Sequence, residues 1–135
     1  ILFNHDSIFR NKKFLLPRVV NAIIKKDYVF LNNIIKANIF ADFSHAEDIC
    51  HGLYKIILSK VNLDKIILSS GKSTSVNNII RHIIKKNKLQ LNIKLNKPKI
   101  KKTLIGNNKL AIQELNWTPK KNVNIAANEI YRLMI

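Results

Sequence analysis

The sequence predicts an α/β fold, and three observations carry that reading. Stretches with apolar residues at helical spacing alternate with short apolar or alternating runs that suit strands, and polar clusters with glycine or proline separate them. A length of 135 residues with 47% hydrophobic side chains fits one compact unit. The strand-like runs are short and unevenly spaced, and Gly52, Gly71 and Gly106 lie too far apart to form a phosphate-binding loop. The pattern therefore predicts an appended part of an α/β enzyme, short strands among about five helices, in place of a complete dinucleotide-binding unit. With no internal repeat or low-complexity linker, residues 1–135 form a single region.

Taken in order, Ile1 to Asn4 is an apolar run that stops at His5-Asp6-Ser7, a polar cluster suited to a turn at a strand's end. Phe14 to Lys26 carries Leu15, Leu16, Val19, Val20, Ala22, Ile23 and Ile24 at helical spacing, with Pro17 in the first turn and lysines in the last. Tyr28 to Leu31 and Ile39 to Phe43 are expected as modest strands. Ser44, with Glu47 three residues on, predicts a capping box opening a helix from His45 to Leu58. That helix is expected to bury Ala46, Ile49, Cys50, Leu53, Tyr54 and Ile57. Lys65 to Ser69 reads as a strand ending at the turn Ser70-Gly71. Ser75 caps a helix from Val76 to Lys86, and Leu89 to Leu95 alternates as a half-buried strand. After Pro98 and a basic loop, Asn108 to Leu115 is expected as a short helix. Val123 to Met134 is expected as the last, capped by Asn122 or Asn124.

The net charge of +16 invites a polyanionic partner. Its distribution argues otherwise: lysine far outnumbers arginine, and the pairs Lys12-Lys13, Lys25-Lys26, Lys85-Lys86, Lys101-Lys102 and Lys120-Lys121 fall at helix ends and loops across the whole chain. Nucleic-acid readers instead gather arginine and aromatics on one stripe. No apolar run reaches the roughly 20 residues that span a bilayer, and the first residues lack the marks of a secretion signal. The expectation is a soluble cytoplasmic protein whose lone Cys50 is a small buried hydrophobe. The abrupt apolar opening at Ile1 suits a chain that continues a longer one upstream.

Among groupings that carry chemistry, paired-cysteine metal spacings, helical histidine pairs and a nucleophile elbow are all absent from the sequence, so neither metal ligands nor catalytic residues are assigned. His51 and His82 read as surface or boundary histidines, and His45 as a residue that fixes a helix entrance. The densest polar constellation is Asn4-His5-Asp6-Ser7 with Arg10. A plain polar turn is its ordinary reading. As a ligand lip, Asn4 offers a donor and an acceptor to a sugar hydroxyl, His5 a hydrogen bond to a ribose or carboxamide, and Arg10 a fork for phosphate.

The stretch Ile1-Leu2-Phe3-Asn4-His5-Asp6-Ser7, then Arg10 and Phe14, resembles ILFNHESPRRGxxF of the GDP-mannose 4,6-dehydratases, extended short-chain dehydrogenase/reductases of the NAD-dependent epimerase/dehydratase superfamily. Asp42 to Asp48 is similar to RDWGHAKDY, Ile66 to Gly71 to YVIATG, Lys97 to Asn107 to RPAEVDLLIGD, and Glu114 to Lys120 to ELGWKPK. The resemblance runs in order along nearly the whole chain.

It implies the C-terminal, substrate-binding part of an enzyme that uses NADP to oxidise C4 of a GDP-sugar, eliminates water across C5 and C6, and returns hydride to C6. His5 and Arg10 match positions that touch NADP. Asn4, Arg18 (where the family has Lys) and Lys97 match the substrate side. The Rossmann core, the Tyr-x-x-x-Lys pair and the eliminating Thr and Glu all belong upstream, so the implied partners are a nucleotide-sugar substrate, the N-terminal cofactor domain and further copies of the full-length protein. This chain alone is expected to be inactive, and its helices Phe14 to Lys26 and His45 to Leu58 to expose apolar faces that the cofactor domain would cover. Departures fall at Ala41, where the family has Arg, at Ile100, where it has Glu, and at Ile8, where it has Pro; the segment from Ala22 to His45 is also shorter than typical. These leave GDP-mannose itself open. A related sugar-nucleotide epimerase or reductase, or a small basic nucleic-acid-binding protein, are the alternatives.

Overall fold

The computed structural model describes residues 1–60, 62 and 64–135 and shows the α/β architecture, with helices packed around a small three-stranded sheet. The elements are β1 (Asn4–Asp6), α1 (Leu15–Ile24), α2 (Tyr28–Ala37), β2 (Phe40–His45), α3 (Ala46–Leu58), β3 (Ser73–Ser75), α4 (Val76–Lys86), α5 (Lys109–Leu115) and α6 (Val123–Met134). β1 pairs parallel to β2, with Asn4 opposite Phe43, and β2 pairs antiparallel to β3, with Phe40 opposite Ser75. Because the backbone of residues 4–6 is held by β2, the first polar cluster lies largely within the strand, and the chain turns only after Asp6.

The main core is made by one face each of α1, α4 and α6: Leu16, Val19, Val20 and Ile23 meet Ile79, Ile80 and Ile83 and the small Ala126, Ala127 and Ile130. Residues three and four apart share a helix face, so the periodicity seen in sequence is what closes this core. α1 thus has its apolar face covered, contrary to the expectation that it would lie open. Ser75 and Asn122 cap α4 and α6 as expected, accepting from the backbone N–H of Asn78 and of Asn124 and Ile125.

Three expected strands are not strands. Residues 28–37 form α2: the Asp27 side chain accepts from the Phe30 N–H at 3.0 Å, and Asn38 ends the helix in the left-handed region at φ 49. Phe30, Leu31, Ile34 and Ile35 then supply a helical stripe against the core, a period visible only when the window extends past Leu31. The segment Leu89 to Leu95 keeps its alternation, with Leu89, Leu91, Ile93 and Leu95 half-buried against the core and Gln90, Asn92 and Lys94 exposed. It makes no ladder among the described residues and runs as an extended strap, held where Arg81 donates to the carbonyls of Leu95 and Asn96 at 3.1 and 3.0 Å. Lys65 to Ser69 pairs only locally, Leu68 lying parallel to Leu2 with Phe3 N–H donating to the Leu68 carbonyl.

A second, smaller cluster joins Ile49 of α3 to Leu68, Ala111, Leu115 and Trp117. Gly52 makes the close approach possible, since a Cβ there would stand 2.7 Å from Leu68 Cδ1. This cluster uses the Ile49–Gly52 side of α3 only. Cys50, Leu53, Tyr54, Ile57 and Leu58 are exposed, which corrects the expected burial of Cys50, Leu53, Tyr54 and Ile57 while matching the open apolar face expected for this helix. The N-cap of α3 is His45 and not Ser44. β2 continues through Ser44 and His45 in register with His5 and Asp6, so the helix begins one residue later, and the His45 ring accepts from the Glu47 N–H.

Candidate functional site

β1, the edge strand of the sheet, carries Asn4 and His5 at successive positions and hence on opposite faces, and Arg10 follows after the turn. Asn4 is exposed, and its amide donates to the Asp42 carbonyl at 3.2 Å. His5 Nδ1 lies 2.8 Å from the Phe3 carbonyl, which can only accept, so Nδ1 donates there and Nε2 is the ring nitrogen left to meet a ligand. Asp6 is buried, and Arg10 Nε lies 3.7 Å from its Oδ1, an ion pair too long to be a hydrogen bond. Burial pushes the Asp6 carboxyl above its usual range, against the opposing pull of the Arg10 guanidinium and of His5. The same guanidinium stacks 3.7 Å above the Phe14 ring, and its Nε is buried without a hydrogen-bond partner. Sequence reasoning placed Asp6 in a turn, where it would be solvated; the register with His45 buries it.

Beside this edge a hollow of about 490 Å³ is walled by Ile8, Phe9, His45 and Cys50. His45 closes one side: its Nε2 donates to Glu129 Oε2 at 2.8 Å, because Nδ1 already accepts from Glu47. Glu47 also pairs with Lys121, whose ammonium holds that carboxyl below the usual range and is itself raised.

The other residues singled out by sequence stand apart from the lip. Arg18 is on the exposed side of α1 with its guanidinium 4.6 Å above the Phe30 ring of α2. Lys97 lines a groove of about 610 Å³ between α2, the start of α4 and the strap. Neither bonds to the lip residues among those described. Ala41 is half-buried in β2 opposite Thr74, while Ile100 is 93% exposed.

Sequence reasoning missed two carboxylates that organise these surfaces. Asp42, fully buried, accepts from Ser70 N–H at 2.9 Å, the Ser70 hydroxyl at 2.5 Å, Gly71 N–H at 3.0 Å and Gly106 N–H at 3.1 Å, drawing two loops onto β2. Asp48 accepts from Lys120 and Lys121 N–H at 2.9 and 2.7 Å, and its carbonyl receives the Trp117 indole at 2.9 Å. Both sit in the resembled segment Asp42 to Asp48, but only the tertiary fold shows which donors converge on them.

This architecture, a short parallel strand pair beside a helical lobe, matches part of the extended short-chain dehydrogenase/reductase fold. The protein RMD of Pseudomonas aeruginosa, solved with NADPH, superposes with a TM-score of 0.74 at 12% identity over 97% of this chain and 45% of its own. The UDP-glucuronic acid 4-epimerase of Bacillus cereus, solved with UDP-glucuronic acid and NAD, gives 0.74 at 14% identity, covering 97% of this chain and 42% of its own. The UDP-N-acetylglucosamine 4-epimerase of Methanobrevibacter ruminantium gives 0.73 at 14% identity, covering 98% and 44%. The chain thus spans less than half the length of these solved proteins. No curated protein matches it by sequence.

The family model described as GDP-mannose 4,6 dehydratase matches residues 1–130, and the chain belongs to that family.

Proposed function

We propose that the chain is the substrate-binding part of a cytoplasmic, NADP-dependent nucleotide-sugar 4,6-dehydratase, acting on GDP-mannose or a close relative. In this reading it works only together with a cofactor-binding half, in an enzyme that assembles as a homo-oligomer. The observation that carries it is the family match over residues 1–130 combined with the polar edge at β1. NADP, when bound, supplies hydride transfer at C4 and C6. Toward it the chain offers His5, whose Nδ1 is taken up by the Phe3 carbonyl so that Nε2 is left for the cofactor, and Arg10, whose buried Nε lacks a hydrogen-bond partner. Asn4 orients the sugar, while Arg18 and Lys97 neutralise phosphate on the substrate side. The exposed Leu53, Tyr54, Ile57 and Leu58 of α3 form the face on which the cofactor half docks.

A related epimerase or reductase is the second reading, favoured by Ala41 and Ile100, which supply neither the guanidinium nor the carboxylate the family places there. The scattered lysines, exposed at helix ends and loops, favour a solvated surface over a nucleic-acid stripe. The test is to assay the chain with NADP and GDP-mannose, alone and co-expressed with the N-terminal half of an active family member. A 4-keto product in the combined sample only is expected. Product from the chain alone overturns the need for a second half, and no product in either sample overturns the dehydratase reading.

A further inference from the structure

Acidic and basic residues are unevenly divided along the chain. From Lys65 to Gln113 the sequence holds no aspartate or glutamate, yet half of the 24 lysines and arginines fall there. They crowd most closely at residues 94–102, where Lys94, Lys97, Lys99, Lys101 and Lys102 are all exposed and none is ion-paired among the described residues. A local run of one sign with no counter-charge attracts a polyanionic surface. Apolar side chains stand among these lysines: Ile100 is 93% exposed and Leu104 78%. One exposed aliphatic residue is ordinary, but the backbone under this pair is tied down. Asn38 donates to the Lys99 carbonyl at 2.7 Å, Lys101 Nζ to the Ala37 carbonyl at 3.3 Å and Thr103 Oγ1 to the Phe40 carbonyl at 3.1 Å. These bonds hold the loop against the end of α2 and the start of β2 and leave Ile100 and Leu104 in solvent.

We propose that the loop from Lys94 to Leu104 docks on an anionic phospholipid membrane, its lysines meeting the headgroups while Ile100 and Leu104 enter the boundary between headgroups and acyl chains. Two features select a membrane over a nucleic acid. Nucleic-acid surfaces rely on arginine and aromatic side chains to read or stack bases, and residues 94–105 contain neither. The neighbouring Arg81 is engaged with the carbonyls of Leu95 and Asn96. An aliphatic tip gains nothing from a phosphate backbone, whereas at a bilayer surface its apolar area leaves water and adds to the electrostatic attraction. Ile100 is also a departure from the resembled family segment, which has Glu there; a carboxylate at this tip would be repelled by anionic lipid, and the isoleucine is not. The loop would dock in this way whether or not the chain binds a nucleotide sugar.

Co-sedimentation of the full chain with phosphatidylcholine vesicles, with and without phosphatidylserine, tests this at low and moderate salt. Binding is expected only where phosphatidylserine is present, and it should weaken as salt rises. Lys99→Gln with Lys102→Gln is expected to weaken it about thirtyfold, at about 1 kcal/mol per lysine near an anionic surface. Ile100→Ser with Leu104→Ser leaves every charge in place and is expected to weaken binding by about tenfold through lost apolar burial. Lys12→Gln with Lys13→Gln removes the same charge ahead of α1 and should change binding by less than about threefold. All six side chains are exposed, so denaturation midpoints are expected to stay at the parent value. No binding to the phosphatidylserine vesicles, undiminished binding after the Ile100 and Leu104 changes, or an equal loss after the Lys12 and Lys13 changes overturns the proposal. So does release of the bound chain by a single-stranded oligonucleotide at equal phosphate concentration, which would make the loop a nucleic-acid surface.

Discussion

The two apolar clusters differ in how they are completed. The larger is enclosed on every side: α1, α4 and α6 each turn their apolar face inward, and α2 and the strap cover the remaining edge. The smaller, around Trp117, has one finished wall. α3 gives it Ile49 and Gly52, then presents Leu53, Tyr54, Ile57 and Leu58 to solvent on its other side, where Ile57 is 79% exposed. An amphipathic helix needs one apolar face; α3 carries apolar residues on two, and among the described residues only one of them is covered. The enclosed cluster is the part that holds the fold, and the other leaves an apolar face of α3 open among the described residues.

The comparison breaks most readily at Trp117. Its side chain is fully buried and its indole N–H reaches the Asp48 carbonyl, so Trp117→Ala should cost about 3–5 kcal/mol in chemical denaturation, as other buried aromatic truncations do. A cost under about 1 kcal/mol would mean that the small cluster does not fold cooperatively with the large one. Asp42→Ala comes next. Three backbone N–H groups and one hydroxyl lose their acceptor, one of them inside the fold at Gly106, and a loss of about 3 kcal/mol is expected. Far smaller is Ile57→Lys on the open face of α3, expected within about 0.5 kcal/mol of the parent. The same change should abolish co-purification with a cofactor half, and intact co-purification would show that this face is not the joint.

The helices of the enclosed cluster were legible because period 3.6 and the caps at Ser75 and Asn122 agree with the tertiary burial. Where the reading failed, pairing or window length was the cause. Tyr28 to Leu31 looks β-prone in isolation and becomes helical once Ile34 and Ile35 are counted with Asp27 as a cap. Leu89 to Leu95 has the right alternation, but a strand needs a neighbour and its burial pattern cannot name one. Ser44 has the better cap chemistry, yet the β2 register reaches past it to His45. Around β1, the separation of Arg18 and Lys97 from Asn4, His5 and Arg10 was not legible in the sequence. Neither was Asp42, because a buried carboxylate is specified by donors from residues 70, 71 and 106, far from it in sequence.

The smallest predicted effect asks on which side of the comparison the lip belongs. If Asp6 and Arg10 were a finished ion pair, the carboxyl would be held below its usual range; instead burial raises it, with Arg10 only partly offsetting that. The folded state then holds the Asp6 proton to higher pH than the unfolded chain does. Stability from this group is complete below the ordinary aspartate range and declines as pH rises from there through the raised folded value. Glu47 slopes the other way, its contribution present above the ordinary glutamate range and lost as pH falls, so total stability does not isolate either group. The difference between the parent and Asp6→Asn does. Denaturation midpoints of the two proteins should diverge as pH rises through that window, the parent losing ground to the Asn variant, with moderate salt present to screen the exposed Glu47–Lys121 pair. A parent that gains on Asp6→Asn over the same window would mean that the pairing with Arg10 outweighs burial. The lip would then be complete in itself, like the enclosed core, and Arg10 would have no unmet demand to direct at a phosphate.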